Sequence, residues 1–139
     1  MFDRIFLYVE DRTSSTTAAE LALSLAKSLA ARVFAIAVIN TAGSIQTATR
    51  RKRIPDVEED AWRILYEIED DAFKQEVSIS LLLDQGDPLE RLLDLARSYR
   101  AKLIVASPAT RLPLAEFVRR SPVPVVFANL PRRHDDQNK

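Results

Sequence analysis

The sequence predicts a single α/β domain in which five parallel strands form one sheet with helices on both faces. Five short apolar runs alternate along the chain with four segments whose apolar residues recur at helical spacing. That alternation is typical of strands joined by right-handed helical crossovers. The chain has 139 residues, of which 47% are hydrophobic, so it has the size of one domain with a substantial core. We expect one domain over residues 1–130 and a flexible polar tail over residues 131–139.

The first elements follow from two apolar runs and the segment between them. Phe2–Val9 predicts the first strand, and Arg32–Ile39 predicts a second strand covered on both faces. Between them, Ser14–Thr17 offer four acceptable N-caps for a helix. The apolar face of that helix is expected to comprise Ala18, Leu21, Ala22, Leu25 and Leu29. Asn40–Pro55 lacks helical periodicity and contains the basic run 50–53, which favours a solvated loop.

A second helix is predicted from Asp56 onwards. Acidic residues crowd its first turn, where they suit the positive end of the helix dipole. Its core stripe is expected to comprise Val57, Ala61, Ile64, Leu65, Ile68 and Ala72. Trp62, Tyr66 and Phe73 lie beside this stripe, and we expect them to widen its contact with the core.

The clearest local signal in the chain is Gly-Asp-Pro-Leu-Glu at residues 86–90. Asp87 is a natural N-cap, Pro88 suits the first helical position, and Glu90 would complete a capping box. The other elements of this half are short. They are a third strand at Val77–Leu83, a fourth at Lys102–Ala106, a helix at Leu114–Arg120 and a fifth strand at Val123–Ala128.

Parallel sheets bind ligands beyond the carboxyl ends of their strands, where the strand order reverses. A pocket in this fold would therefore lie among the segments that follow four of the strands. These are Glu10–Ser15, Asn40–Gly43, Leu83–Asp87 and Ser107–Arg111.

Composition excludes several common chemistries. The chain has no cysteine, which excludes disulfides and thiol catalysis, and its one histidine, His134, lies in the predicted tail. Two glycines are too few for a glycine-rich phosphate loop. No metal cluster is visible, and the equal numbers of basic and acidic residues argue against binding to nucleic acid. With no apolar run long enough for a membrane span and no leader-like start, we expect a cytoplasmic protein.

Four stretches resemble the universal stress protein family. They are DRIFLYVEDRTSSTTAAELALSLAKSLAARVFAIAVI at the start, QGDPLERLLDLA, AKLIVASPA and LAEFVRRSPVPVVFANLP, which together span residues 2–131. The resemblance implies an adenine nucleotide alpha hydrolase-like fold with strand order 3-2-1-4-5. It also implies a cytoplasmic protein of the stress response, frequently a homodimer. Many members of the family bind ATP.

The sequence departs from the ATP-binding members of that family after the fourth strand. Those members carry a glycine-rich motif there, whose backbone amides hold the phosphates. Here Ser107 stands in the place of the first glycine, Pro108 has no N–H to offer, and the segment is shorter. Glu10 replaces the aspartate that ends the first strand in those members. We therefore expect no ATP cofactor, and a non-catalytic regulatory or scaffolding module with a regulatory protein partner.

Two alternatives stay open. In the first, a rebuilt pocket binds ATP or AMP with Mg²⁺, and Arg111 supplies a cation in place of the lost amides. Its candidate residues are Glu10, Val38, Ser107, Thr110 and Arg111. In the second, Asp84 accepts a phosphoryl group beside the acidic pair Glu10-Asp11, as in response-regulator receiver domains. The lysine that a receiver needs after its last strand is missing from this second arrangement.

The fifth strand is expected at an edge of the sheet. Val125, Val126 and Phe127 make it apolar, and an exposed apolar edge invites pairing with another strand. We expect a homodimer in which two copies of this strand pair through residues 124–129.

Overall fold

The computed structural model describes residues 1–41 and 54–128. Within these ranges the chain forms one parallel sheet of five strands in the order 3-2-1-4-5, which confirms the predicted architecture. The predicted tail and most of the predicted loop between the second strand and the second helix lie outside the described residues, so those two predictions stay predictions.

Strands and helices alternate through the described residues. They are β1 (Arg4–Val9), α1 (Arg12–Leu29), β2 (Arg32–Asn40), α2 (Ile54–Lys74), β3 (Ile79–Gly86), α3 (Pro88–Ser98), β4 (Leu103–Ala106), α4 (Leu114–Arg120) and β5 (Val125–Phe127). None of these helices is long and apolar enough to cross a membrane.

The sheet separates two apolar cores, and successive residues of each central strand alternate between them. In β1, Ile5 and Leu7 face the core formed with α1 and α2, whereas Phe6 and Tyr8 face the core formed with α3 and α4. Five successive residues of β1 are therefore buried. This two-sided burial explains why the central strands read as continuous apolar runs rather than alternating ones.

Helix α1 begins earlier than its N-cap candidates predicted. The helix starts at Arg12, so Ser14–Thr17 lie inside its first turns. The Ser15 hydroxyl is buried and accepts a hydrogen bond of 3.0 Å from the backbone N–H of Glu10. The hydroxyl therefore binds a backbone group at the end of the preceding strand and does not cap the helix. The predicted apolar face was also partly wrong, because Leu29 is 45% exposed.

Three further predictions needed correction. Tyr66 and Phe73 are 54% and 83% exposed, so only Trp62 of the three α2 aromatic residues widens the core contact. Strand β3 starts two residues later than predicted and extends to Gly86, because its last residues pair with the end of β2. Strands β1, β4 and β5 are each shorter than their apolar runs.

The N-terminus of α3 confirms the local signal seen in the sequence, except for half of the capping box. The Asp87 carboxylate accepts from the backbone N–H of Glu90 at 3.0 Å, and Pro88 takes the first helical position. The Glu90 carboxylate does not return to Asp87 but accepts two hydrogen bonds from Arg120 of α4, at 2.8 and 3.0 Å. That ion pair holds the pKa of the Glu90 carboxyl below its usual value.

Candidate functional site

The candidate site lies at the carboxyl ends of β1 and β4, which are neighbours in the sheet. Glu10 follows β1 directly, and the segment Ser107–Pro113 follows β4 and leads into α4. Parallel pairing brings both strand ends to the same edge of the sheet. Two of the four segments predicted to line a pocket, Glu10–Ser15 and Ser107–Arg111, therefore meet here.

The Glu10 carboxylate binds the segment after β4. It accepts a hydrogen bond from the Thr110 hydroxyl at 3.0 Å and from the backbone N–H of Arg111 at 3.0 Å, with a second Arg111 contact at 3.3 Å. The backbone of Glu10 is itself held by Ser15. The side chain is half-buried. Glu10 is thus a fixed acceptor that ties the two segments together.

The backbone N–H groups of the segment are used within the chain itself. Ala109 donates to the Ser107 hydroxyl at 3.0 Å, and Thr110 donates to the Ser107 carbonyl at 3.1 Å. Arg111 donates to Glu10, and Leu112 donates to the Thr110 hydroxyl at 3.1 Å. Four successive N–H groups therefore bind oxygen atoms of this protein, and Pro108 before them has none to offer.

Arg111 places a positive charge at the mouth of the site. Its guanidinium lies 3.7 Å from the Asp11 carboxylate, and its side chain is 82% exposed. Beneath it, burial raises the pKa of the Tyr8 phenol far above its usual value, and the negative charge of Glu10 raises this pKa further. Tyr8 therefore stays neutral at physiological pH. The site combines a held carboxylate, a neutral phenol and one exposed cation.

Val38 lies in β2, opposite Asp84 of β3 and one residue beyond Ala37, which pairs with Val9 of β1. Its apolar side chain packs against the core formed with α3 and α4 and takes no part in the hydrogen bonds that join the other candidate residues. Glu10, Ser107, Thr110 and Arg111 do come together, through the hydrogen bonds described above.

Asp84 lies away from the acidic pair Glu10-Asp11, because β2 separates β3 from β1. Its carboxylate accepts from the Arg91 guanidinium at 2.8 Å and from the backbone N–H of Gln85 at 2.8 Å. Burial alone would raise the pKa of Asp84, but these hydrogen bonds outweigh it and lower the pKa. The described residues hold no group of three acidic or histidine side chains that could bind a metal. The arrangement needed for a receiver site is not formed.

Sequence reasoning missed the roles of two residues of this site. The sequence predicts Ser15 as a helix cap and as part of the Glu10–Ser15 segment, but not as a partner of the Glu10 backbone, and it predicts Tyr8 only as part of a strand. Both act on Glu10, the first through its backbone and the second as a buried neighbour. A hydroxyl a few residues beyond a strand gives no signal of its own, because its partner is known only once the strand end and the helix start are placed.

The sequence model of the universal stress protein family matches residues 1–128 of this chain. Comparison with curated protein sequences finds no match. Solved structures do match. A universal stress protein family member from Burkholderia pseudomallei has 25% sequence identity and a TM-score of 0.70, with 94% of this chain and 97% of that one covered.

Two more distant neighbours share the fold. One is a universal stress protein family member from Arabidopsis thaliana with AMP bound, at 15% identity and a TM-score of 0.71, covering 96% of this chain and 94% of its own. The other is a universal stress protein from Archaeoglobus fulgidus in complex with dAMP, at 18% identity and a TM-score of 0.69, covering 88% and 94%.

Proposed function

The chain belongs to the universal stress protein family, and we propose that within it this protein is a non-catalytic regulatory or scaffolding module that binds no ATP in the usual manner. The observation that carries this proposal is the engagement of four successive N–H groups, from Ala109 to Leu112, by the protein's own oxygen atoms. A phosphate cradle needs such groups to be free and to point at one anion. Here one of the four donates to the Glu10 carboxylate, and the other three donate to oxygen atoms of Ser107 and Thr110.

A bound triphosphate would have to displace Glu10 from Thr110 and Arg111. The displaced carboxylate would stay near the incoming phosphates, and like charges repel at short range. The half-buried carboxylate would also lose both donors to the phosphate, and leaving a buried acceptor without its partner costs about 1–3 kcal/mol. Both effects oppose phosphate binding, so we assign the protein an action through protein association in the cytoplasm.

A second candidate function is supported by the neighbours that carry AMP and dAMP. In this version, the exposed Arg111 leaves Asp11 and binds a phosphate from the solvent side, while Glu10 stays in place. Such a site would accept a monophosphate more readily than a triphosphate, because it offers one cation and no free cradle.

Isothermal titration separates the two functions. Charcoal-stripped protein is titrated with Mg-ATP, AMP and cyclic AMP, and we expect no binding tighter than about 100 μM, which corresponds to roughly 5.5 kcal/mol. Tighter binding of AMP that disappears in Arg111→Ala would contradict the proposal and establish the second function. Lys102→Ala, at the opposite end of β4, is the matched control for the loss of one cation.

We also propose that two chains associate through the edge of β5. Its residues Val125, Val126 and Phe127 are each half-buried within one chain, and β5 ends the sheet on its side. A strand at an open edge has backbone groups ready to pair with a second copy.

A further inference from the structure

Strand β3 ends the sheet on the side opposite β5. The Ser78 carbonyl accepts from the N–H of Val33 at 2.9 Å, and the Gly86 carbonyl accepts from Thr41 at 3.3 Å. Backbone groups alternate in direction along a strand, so the even-numbered residues of β3 face β2. The N–H and C=O groups of the odd-numbered residues therefore point away from the sheet. These residues are Ile79, Leu81, Leu83 and Gln85.

The two ends of this outward edge are already occupied. Arg32 donates to the Ile79 carbonyl at 3.2 Å, and the N–H of Gln85 donates to the Asp84 carboxylate at 2.8 Å. Between these ends, the backbone groups of Leu81 and Leu83 have no protein partner within residues 1–41 and 54–128. With respect to these described residues, the middle of the edge is thus open to another strand.

Helix α2 runs alongside this open edge. At one end, the Glu58 carboxylate accepts from the Gln85 side chain at 3.3 Å. At the other end, Phe73 and Ile79 line one cleft. The helix rises about 22 Å between residues 58 and 73, and the strand rises about 20 Å between residues 79 and 85. These lengths agree, so α2 can follow the strand edge along its length. We call the surface between them, with the cleft at its Phe73 end, the α2–β3 groove.

One face of α2 borders the α2–β3 groove, and aromatic residues dominate it. The helical spacing places Glu58, Trp62, Tyr66, Glu69 and Phe73 on this face. Trp62 and Tyr66 stack with their ring centres 5.5 Å apart. Tyr66 and Phe73 are strongly exposed for aromatic side chains, and such a patch at a groove marks an interaction site.

The charge of α2 indicates what the groove binds. The helix has eight acidic and two basic residues in a chain whose net charge is zero. Glu69 and Asp70 line the cleft together with Phe73. A partner with positive charges is attracted by this helix, and its Lys or Arg side chains can also lie over exposed aromatic rings. A second copy of α2 would be repelled.

We propose that the α2–β3 groove binds an extended, basic segment of a partner protein, which adds to the sheet as a strand beside β3. The segment exchanges backbone hydrogen bonds with Leu81 and Leu83, as in other cases of strand addition. Its basic side chains pair with Glu58 and Glu69. This inference names the partner class for the protein association proposed above, and it rests on that proposed function.

The test uses the full chain and a fluorescein-labelled heptapeptide in which Lys alternates with Val. In fluorescence anisotropy at physiological ionic strength, we expect the Lys–Val peptide to bind. The matching Glu–Val peptide should bind at least tenfold more weakly. The double variant Glu58→Gln and Glu69→Gln should weaken binding of the Lys–Val peptide at least tenfold. The matched control, Asp56→Asn with Asp71→Asn, removes the same charge from α2 outside the groove face and should change binding less than threefold.

Backbone pairing is tested separately by amide hydrogen exchange. Saturating peptide should slow exchange at Leu81 and Leu83 at least tenfold. Binding without this protection, or equal weakening by both double variants, would overturn the proposal. Protection at the same amides that depends on protein concentration without peptide would assign the edge to a second copy and also overturn it. The nucleotide titration is independent of this test. Nucleotide binding would contradict the proposed function, whereas a lack of peptide binding would contradict only the proposal for the α2–β3 groove.

Discussion

At the scale of single residues, Glu10 shows how one carboxylate can tie two strand ends together. Its Oε2 accepts from both the Thr110 hydroxyl and the Arg111 N–H, and Oε1 accepts a longer bond from the same N–H; these are donors of the kind that a phosphate would need. The sequence indicated that an acidic side chain stands at this strand end. It could not indicate the contact, because hydrogen-bond partners 100 residues apart in the sequence are set by the sheet and not by local pattern.

Replacing Glu10 with Ala should destabilise the fold. The change leaves a half-buried hydroxyl and a backbone N–H without their acceptor, so we expect a loss of about 1–3 kcal/mol in the free energy of unfolding. Urea denaturation measures it. Glu59→Ala removes an exposed carboxylate of α2 and should change stability by less than about 0.5 kcal/mol. An equal loss in both variants would contradict the role given to Glu10.

Asp84 makes stability depend on pH in the acidic range. Its folded pKa lies below the unfolded value of about 3.9, so its contribution is complete above that value and is lost as the pH falls through the folded pKa. The difference in unfolding free energy between wild type and Asp84→Asn should be constant above about pH 5 and shrink below about pH 4. The difference in unfolding free energy between wild type and Arg91→Met should shrink over the same pH range. A constant difference across this range would refute the assignment.

At the scale of elements, residues 86–90 were sufficient to predict where α3 begins, whereas the four N-cap candidates Ser14–Thr17 did not predict where α1 begins. Asp87 with Pro88 places a helix start at one position only, because proline has no N–H and fits the first turn. Ser14–Thr17 offered four positions for the start of the helix. The backbone N–H of Glu10 donates to the Ser15 hydroxyl, so Ser15 serves the end of the strand and not the start of the helix. Element types were therefore predictable here, whereas several boundaries depended on contacts outside the element.

The N-cap of α3 should be measurable on its own. Asp87→Ala removes the acceptor for the Glu90 N–H and is expected to cost about 1 kcal/mol, whereas Asp87→Ser should retain most of the stability. Thermal unfolding followed by circular dichroism gives both values. Equal melting temperatures for the alanine variant and the wild type would show that the cap contributes nothing.

At the scale of the whole molecule, the strand order came from the family resemblance rather than from periodicity. Alternating strands and helices predict a parallel sheet, but several orders satisfy that pattern. The structure has the order 3-2-1-4-5, which leaves β3 and β5 as the two edges. The same order separates Asp84 from Glu10 by one strand, and the sequence pattern alone gave no indication of that separation.

The proposed β5 contact can be tested at a single backbone N–H. Ile104 donates to the Pro124 carbonyl and Ala128 donates to Ala106, so the N–H of Val125 points outward. Val125→Pro should therefore remove an intermolecular hydrogen bond and convert a dimer into a monomer in sedimentation velocity, with an unchanged circular dichroism spectrum. Val125→Thr is the matched control and should stay dimeric. Val126→Asp is less suitable, because it would place a charge against the core with α1 and α2.

A proline variant that sediments at the wild-type mass would contradict this dimer.

The placement of the two edges has a consequence for valency. Two chains joined at β5 make one sheet of ten strands with a β3 edge at each end, about 43 Å apart at the usual strand spacing. A partner with two suitably spaced basic segments would then engage both ends, and its second attachment would occur at a high effective concentration. Weak individual contacts would add up to a long-lived complex. The oligomeric state would in this way set the strength of attachment without altering any residue of the groove.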